Sequence, residues 1–289
     1  MQTQSTKTNE TQSYLNSPTL PDLAVVKAKQ KATWESGDFG QIAQCIENVA
    51  EEFMARQTLR RGMRVLDVAC GTGNLALIAV KRGCQVSGAD IAANLLAQAR
   101  ARASAAGLSI DFKEADAEAL PFEDNTFDLT VSMFGVMFTP RPAMATTELW
   151  RVTKPGGRIA LANWTVEGFI GKMFGVFKAH LPPPPAGVPS PMEWGNETTV
   201  RQRLQQGFTD VRLTRRTAWM RFPFPPAETV EFFRKYYGPT LRAFESLSPA
   251  GREALRRDLV DLQTKYNSAR IPGTTEVAAE YLEVVATKA

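Results

Sequence analysis

The chain has 289 residues, 44% of them hydrophobic, enough to bury a substantial core in one large domain or a domain with an added lobe. Its 34 basic and 30 acidic residues leave a net charge of +4 dispersed along the sequence, too weak an excess to support a nucleic-acid groove. The single histidine, His180, excludes a histidine-rich metal site, and three cysteines without a CxxC pair favour reduced thiols in the cytoplasm over a disulfide scaffold.

Residues 1–22 are rich in Thr, Ser, Gln and Asn, have no apolar targeting segment, and read as a disordered tail. No later run reaches the roughly 18 apolar residues of a membrane span, so no membrane partner is expected. Ile42, Ile46, Val49 and Phe53 recur at three- and four-residue spacing and predict a helix over 41–58. From Met63 the pattern alternates: strand 63–68, helix 73–82, strand 84–89, helix 92–106, strand 109–113, strand 127–132, helix 142–153 and strand 157–163. Such alternation predicts an α/β fold, a parallel sheet covered by helices.

The first strand carries Asp67 and runs into Ala69-Cys70-Gly71-Thr72-Gly73-Asn74. Gly71 and Gly73 let the backbone approach a ligand closely, and the helix that follows turns its free N–H groups toward the same place. Read alone, the turn also fits the dinucleotide fingerprint, with Asp90 where a ribose-binding acid would stand, and equally a turn that only packs strand against helix. Asp90 ends the second strand and can accept from ribose hydroxyls, with Ile91 beside it as an apolar face for a purine. After the third strand, Asp116 can accept from an exocyclic amine and the Ala117 N–H can reach a ring nitrogen. Strand C-termini are the edge where open α/β sheets bind ligands.

Beyond Asn163 the chain becomes rich in Gly and Phe and then runs through Pro182–Pro185, as an insertion over the sheet edge would. Strand-like Val211–Leu213 and Ala218–Phe222 precede two amphipathic helices, about 227–246 and 249–268, the second capped by Ser248 with Pro249 in its first turn. A last strand is expected at Tyr281–Thr287. The predicted organisation is a tail (1–22), a nucleoside-binding core (23–165), inserted segments and a helical lid (166–275, including a sheet strand near 209–222), and a final core strand (276–289).

Together Val65–Asn74, Gly88-Ala89-Asp90, Ala115–Phe122, Phe127–Ser132 and Leu149–Arg158 resemble the class I S-adenosylmethionine-dependent methyltransferases, especially the ubiquinone/menaquinone-biosynthesis (methyltransferase type 11) branch. The resemblance covers about Val26 to Trp164 and only loosely the lid. It implies a doubly wound, Rossmann-like seven-stranded sheet, mostly parallel with a reversed final hairpin, and S-adenosylmethionine as cofactor. It further implies that Asp67, Gly71 and Gly73 cradle the methionine portion, Asp90 and Ile91 the ribose and adenine, and Asp116 and Ala117 the adenine edge, with Ser132 near the sulfonium. The stretch departs from the motif acid-x-Gly-x-Gly-x-Gly at its first glycine, leaving Ala69-Cys70-Gly71-Thr72-Gly73, and a cysteine in this place is familiar in this branch.

The expected reaction is in-line methyl transfer to a small molecule, which needs alignment and water exclusion more than a dedicated base. A binding protein without turnover stays open as a second reading, and an NAD-dependent dehydrogenase as a third. His180 and Tyr237 are the catalytic candidates, Tyr237 lying with Tyr236 on the lid. Trp34, counted with the cofactor-binding residues, and Trp164 adjoin the core and are expected to wall the acceptor pocket. No Asn/Asp-Pro-Pro-Tyr/Phe motif follows the fourth strand and no basic domain is appended, which argues against nucleic-acid acceptors. The Phe, Met and Trp content after Ser132 suits an apolar or aromatic one.

Overall fold

The computed structural model describes residues 22–185 and 187–289, so the expected tail lies outside the described residues except for Asp22. Asp22 caps a helix not anticipated from periodicity, α1 (Leu23–Trp34), by accepting from the Ala24 N–H at 2.9 Å. The single helix expected over 41–58 is instead two, α2 (Phe39–Gln44) and α3 (Glu47–Ala55). They part at Ile46, whose φ of −126° leaves the helical range, and the Ala43 carbonyl there also accepts from the Asn74 side-chain amide at 3.1 Å.

The alternating region then follows as β1 (Arg64–Val68), α4 (Asn74–Lys81), β2 (Gln85–Asp90), α5 (Ala93–Ala105), β3 (Asp111–Glu114), β4 (Phe127–Met133), α6 (Pro142–Val152) and β5 (Thr153–Trp164). Beyond it come α7 (Phe169–His180), α8 (Glu197–Leu204), β6 (Phe208–Phe222), α9 (Pro226–Tyr236), α10 (Gly238–Glu245), α11 (Pro249–Tyr266) and β7 (Thr275–Lys288). The two strand-like pieces at 211–222 are one strand: the polar stretch between them lies on a sheet edge, where Arg215 faces solvent and pairs with Glu197 and Glu280.

The first lid helix, expected to continue to 246, breaks at Tyr237-Gly238-Pro239. Pro239 has no N–H to continue the ladder. Gly238 presses on the end of α1 so closely that a Cβ there would lie 2.0 Å from the Thr33 carbonyl oxygen. Asp38 donates its N–H to the Tyr236 carbonyl at 3.1 Å, so the α1–α2 and α9–α10 junctions are keyed together. Ser248 caps α11 by accepting from the Gly251 N–H at 3.2 Å.

All seven strands form one sheet in the order β3-β2-β1-β4-β5-β7-β6. Strands β1 to β5 are parallel, and β7 runs antiparallel to both β5 and β6. Val65, Leu66, Val68, Leu129 and Val131 are fully buried, as strands with helices on both faces require. Helices α7, α9, α10 and α11 pack on one another as a cap joined to α1 and α2. Among the described residues no helix is long and apolar enough to cross a membrane.

Candidate functional site

Strand order reverses between β1 and β4, since the chain winds from β1 outward to β3 and then returns to the other side. A cleft opens there at the strand C-termini, enclosing about 940 Å³ that is continuous with solvent. Its floor is the β1–α4 turn, where Ala69 (φ 53°), Gly71 (φ 51°) and Gly73 (φ 79°) all take left-handed backbone conformations. A non-glycine residue in that region carries strain, which the surrounding packing holds in place. Phe134 (φ 58°), after β4, is a second such residue on the cleft wall.

Two carboxylates face this cleft without an ion-pair partner among the described residues. Asp67 is 2% exposed and accepts from the Ala76 N–H at 3.0 Å, which draws the start of α4 against β1. Burial raises its pKa to about 8; the Ala76 N–H opposes that shift and the nearby Asp90 adds to it. Asp90 accepts from Gly71 N–H at 2.7 Å with Oδ2 and from Ala92 N–H at 2.8 Å with Oδ1. Its pKa also rises through burial, against the pull of those N–H donors. Buried acids facing an open cleft suit a cationic, hydroxyl-bearing ligand. At Gly71 a Cβ would project toward the cleft with nothing nearer than the Phe39 ring at 3.8 Å, so the backbone there is left bare for a bound group. These features fit S-adenosylmethionine, which carries an ammonium, a sulfonium and ribose hydroxyls.

The third acid is held differently. Asp116 accepts from the Glu118 N–H at 2.8 Å and pairs with the Lys27 ammonium of α1. Lys27 also reaches Glu118 at 2.7 Å, and Glu118, its side chain wholly buried, accepts from the Arg141 guanidinium at 2.7 Å. This network straps α1 across the cleft and brings Gln30 and Trp34 into its wall. The Trp34 ring meets Phe39 and Phe138 edge-on at centroid distances of 5.6 and 4.9 Å.

Of the residues expected from sequence, Trp34, Asp67, Gly71, Asp90, Ile91, Asp116 and Ala117 line the cleft. Gly73 does not: a Cβ there would meet the Phe112 ring and Ala99 within 3.4 Å, on the side where the turn packs against α5 and β3. Ser132 is fully buried behind the wall, its hydroxyl accepting from the Val136 N–H at 3.1 Å. His180 is also remote, because it ends α7 and bonds Asp258 of α11 through Nε2 at 2.7 Å. Sequence reasoning missed Phe39, Phe134, Gly135 and Phe138; the run from Ser132 to Phe138 was noted only for its apolar content.

Tyr237 lies in an adjoining chamber, about 390 Å³ counting the part that is continuous with solvent, whose walls include Trp34, Phe39, Phe134 and Phe138, shared with the cleft, and Trp164, Met173, Met220 and Phe233. Trp164 stacks on Phe134 with centroids 3.6 Å apart. Burial pushes the Tyr237 hydroxyl further above its ordinary pKa, so it keeps its proton and can donate but not serve as a base. No carboxylate, histidine, lysine or arginine is among the residues lining this chamber. Among the described residues no cluster of His, Cys, Asp and Glu could hold a metal ion.

A methyltransferase domain model matches residues 66–161. Uncharacterized protein Rv1403c of Mycobacterium tuberculosis is 37% identical over 236 residues, 81% of this chain and 86% of that one. The demethylmenaquinone methyltransferase of Thermus thermophilus is 43% identical over 118 residues, 39% of this chain and 54% of that one. In fold, the chain is similar to Haemonchus contortus phosphoethanolamine N-methyltransferase 2 in complex with S-adenosylmethionine, with a TM-score of 0.55, 19% identity, and coverage of 83% of this chain and 52% of that one. These likenesses favour neither the dehydrogenase reading nor the binding-only one.

Proposed function

Because the chain belongs to the class I S-adenosylmethionine-dependent methyltransferases, we propose that it methylates a small, largely apolar or aromatic acceptor held in the chamber beside the cofactor cleft. One observation carries this reading: Trp34, Phe39, Phe134 and Phe138 wall both spaces at once, so an acceptor in the chamber abuts whatever fills the cleft. Aromatic walls of this kind favour a flat or hydrocarbon-rich body.

S-adenosylmethionine supplies a methyl group already activated by its sulfonium charge. The chain has three tasks in the transfer. Asp67 and Asp90 hold the charged and hydroxylated parts of the cofactor, with Asp116 and Ala117 at the adenine edge. The aromatic partition aligns the acceptor and keeps water out. Tyr237 can donate a hydrogen bond that orients an acceptor oxygen or nitrogen. With no base in the chamber, the receiving atom must bring its own lone pair, as an amine, a thiolate, or an acidic phenol or enol ionised in solution does.

The test is transfer of a labelled methyl group from S-adenosylmethionine to a panel of phenols, quinol precursors, amines and thiols, beside titration calorimetry with S-adenosylmethionine, S-adenosylhomocysteine and NADH. Micromolar binding of the two sulfur nucleosides and turnover of an apolar panel member are expected. Turnover confined to highly charged acceptors would overturn the proposed acceptor class.

A further inference from the structure

A second, narrow space lies in the helical cap between α7, α9, α10 and α11, about 250 Å³ counting the part that is continuous with solvent. Its walls are mostly hydrocarbon, from Phe169, Val230, Leu259 and Leu262. Two polar side chains break that lining, Thr240 and Gln263, which are 1% and 3% exposed. Thr240 Oγ1 and Gln263 Oε1 both lack a hydrogen-bond partner.

Neither residue is explained by the fold. On α11 the buried stripe runs Leu255, Leu259, Gln263 at four-residue spacing, so an apolar side chain would complete it. A helical threonine hydroxyl commonly bonds the carbonyl four residues earlier. In this chain that carbonyl, Tyr236, takes the Asp38 N–H, and the Thr240 hydroxyl is left free in the cavity. Buried polar groups without partners destabilise a fold, so two that line one narrow space mark a polar spot that a single water, or the polar end of a ligand taking its place, would satisfy.

The cavity is separated from the acceptor chamber by a thin partition. Met173 and Phe233 line both. A methionine wall is flexible enough to yield to a chain passing it. Cofactor cleft, aromatic chamber and distal cavity therefore lie in series, each sharing side chains with the next.

We propose that the acceptor is an elongated molecule, with its methylated ring or head in the aromatic chamber and a tail past Met173 and Phe233 that ends in a hydrogen-bond donor, received by Gln263 Oε1 and Thr240 Oγ1. Gln263 Oε1 accepts and the Thr240 hydroxyl can accept or donate, so a hydroxyl or N–H at the tail's end satisfies the pair where a bare methyl satisfies neither. The proposal rests on the methyltransferase reading for the placement of the head.

The test uses two probes matched in length, 4-hexylphenol and 4-(6-hydroxyhexyl)phenol, titrated into the full chain saturated with S-adenosylhomocysteine. The hydroxyl-tailed probe is expected to bind about tenfold more tightly than the alkyl one. In the double variant Thr240→Val, Gln263→Leu the preference should disappear or reverse, with binding of S-adenosylhomocysteine unchanged. Both substitutions remove unpartnered polar groups, so the variant should fold; the single variant Gln263→Met gives a milder check. Equal binding of the two probes to the unaltered chain, or binding of neither, would overturn the distal site, as would a preference that survives in the double variant. Failure of S-adenosylhomocysteine to bind would instead strike at the methyltransferase reading itself, so the two failures are distinguishable.

Discussion

The N–H of Gly71 donates to Oδ2 of Asp90 at 2.7 Å, and this bond ties the turn after β1 to the end of β2 at the floor of the cleft. The other oxygen of Asp90 takes the Ala92 N–H, so one carboxylate organises two loops and still has lone pairs directed at the cavity. Asp90→Ala should therefore lose both stability and cofactor affinity. Each orphaned N–H costs about 1–3 kcal/mol. Asp90→Asn keeps an acceptor and should lose less of both. Urea unfolding and calorimetric titration with S-adenosylhomocysteine measure the two effects, and an alanine variant with unaltered affinity would remove Asp90 from the cofactor's contacts.

Asp67 gives the protein a specific pH dependence. With its pKa at about 8 in the folded chain against 3.8 ordinarily, it keeps a proton that the unfolded chain has lost. Its contribution to stability is therefore greatest at low pH, declines as pH rises from near 4 to 8, and levels off beyond. A bound cation favours the charged carboxylate, so cofactor binding below pH 8 should release a proton and tighten as pH rises toward 8. Calorimetry in buffers of different ionisation enthalpy reads that proton. Asp67→Asn should abolish the release, and a release that persists in this variant would assign it to another group.

The two glycines of the turn should respond differently to alanine. Gly71→Ala meets the penalty of its left-handed backbone, about 1–2 kcal/mol, and places a methyl group toward the cleft. Gly73→Ala meets the same backbone penalty and also brings its Cβ to 3.1 Å from Phe112. We expect Gly71→Ala to lose more cofactor affinity than stability, and Gly73→Ala the reverse. Thermal unfolding with and without S-adenosylhomocysteine separates them; an equal ligand-induced rise in Tm for both variants would contradict the assignment of Gly71 to the cleft surface.

His180 joins α7 to α11 through a partly exposed Asp258, well away from the aromatic chamber. His180→Ala should leave kcat within twofold and cost at most about 1 kcal/mol of stability. A hundredfold fall in kcat with the fold intact would return the histidine to the reaction.

The core of the cleft was legible in the sequence because its residues are set by local geometry. A strand that carries Asp67 near its end and enters Ala69-Cys70-Gly71-Thr72-Gly73 can form few structures other than the observed turn, and Asp90 ends, and Asp116 follows, strands that the alternation marks out. At Gly73 the sequence reveals the need for a left-handed residue but not which neighbour its open face meets.

The acceptor side depended on contacts between residues far apart in the chain. Trp34 meets Tyr237 with centroids 6.0 Å apart, and Phe134 stacks on Trp164, pairings that no spacing along the chain encodes. The single helix expected over 227–246 failed for the same reason, since Gly238 is pinned by Thr33 of α1. His180 stands out by residue type, and only the tertiary structure places it at the end of α7, bonded to Asp258. Sequence by itself determined the alternation of strands and helices, the glycine turn after the first strand and the acids that end or follow strands, because those follow from short-range backbone preference and hydrophobic period. Tertiary packing alone decided the strand order, the aromatic partition, the α1 strap and the polar pair Thr240 and Gln263, because each depends on contacts between elements that are far apart in the chain.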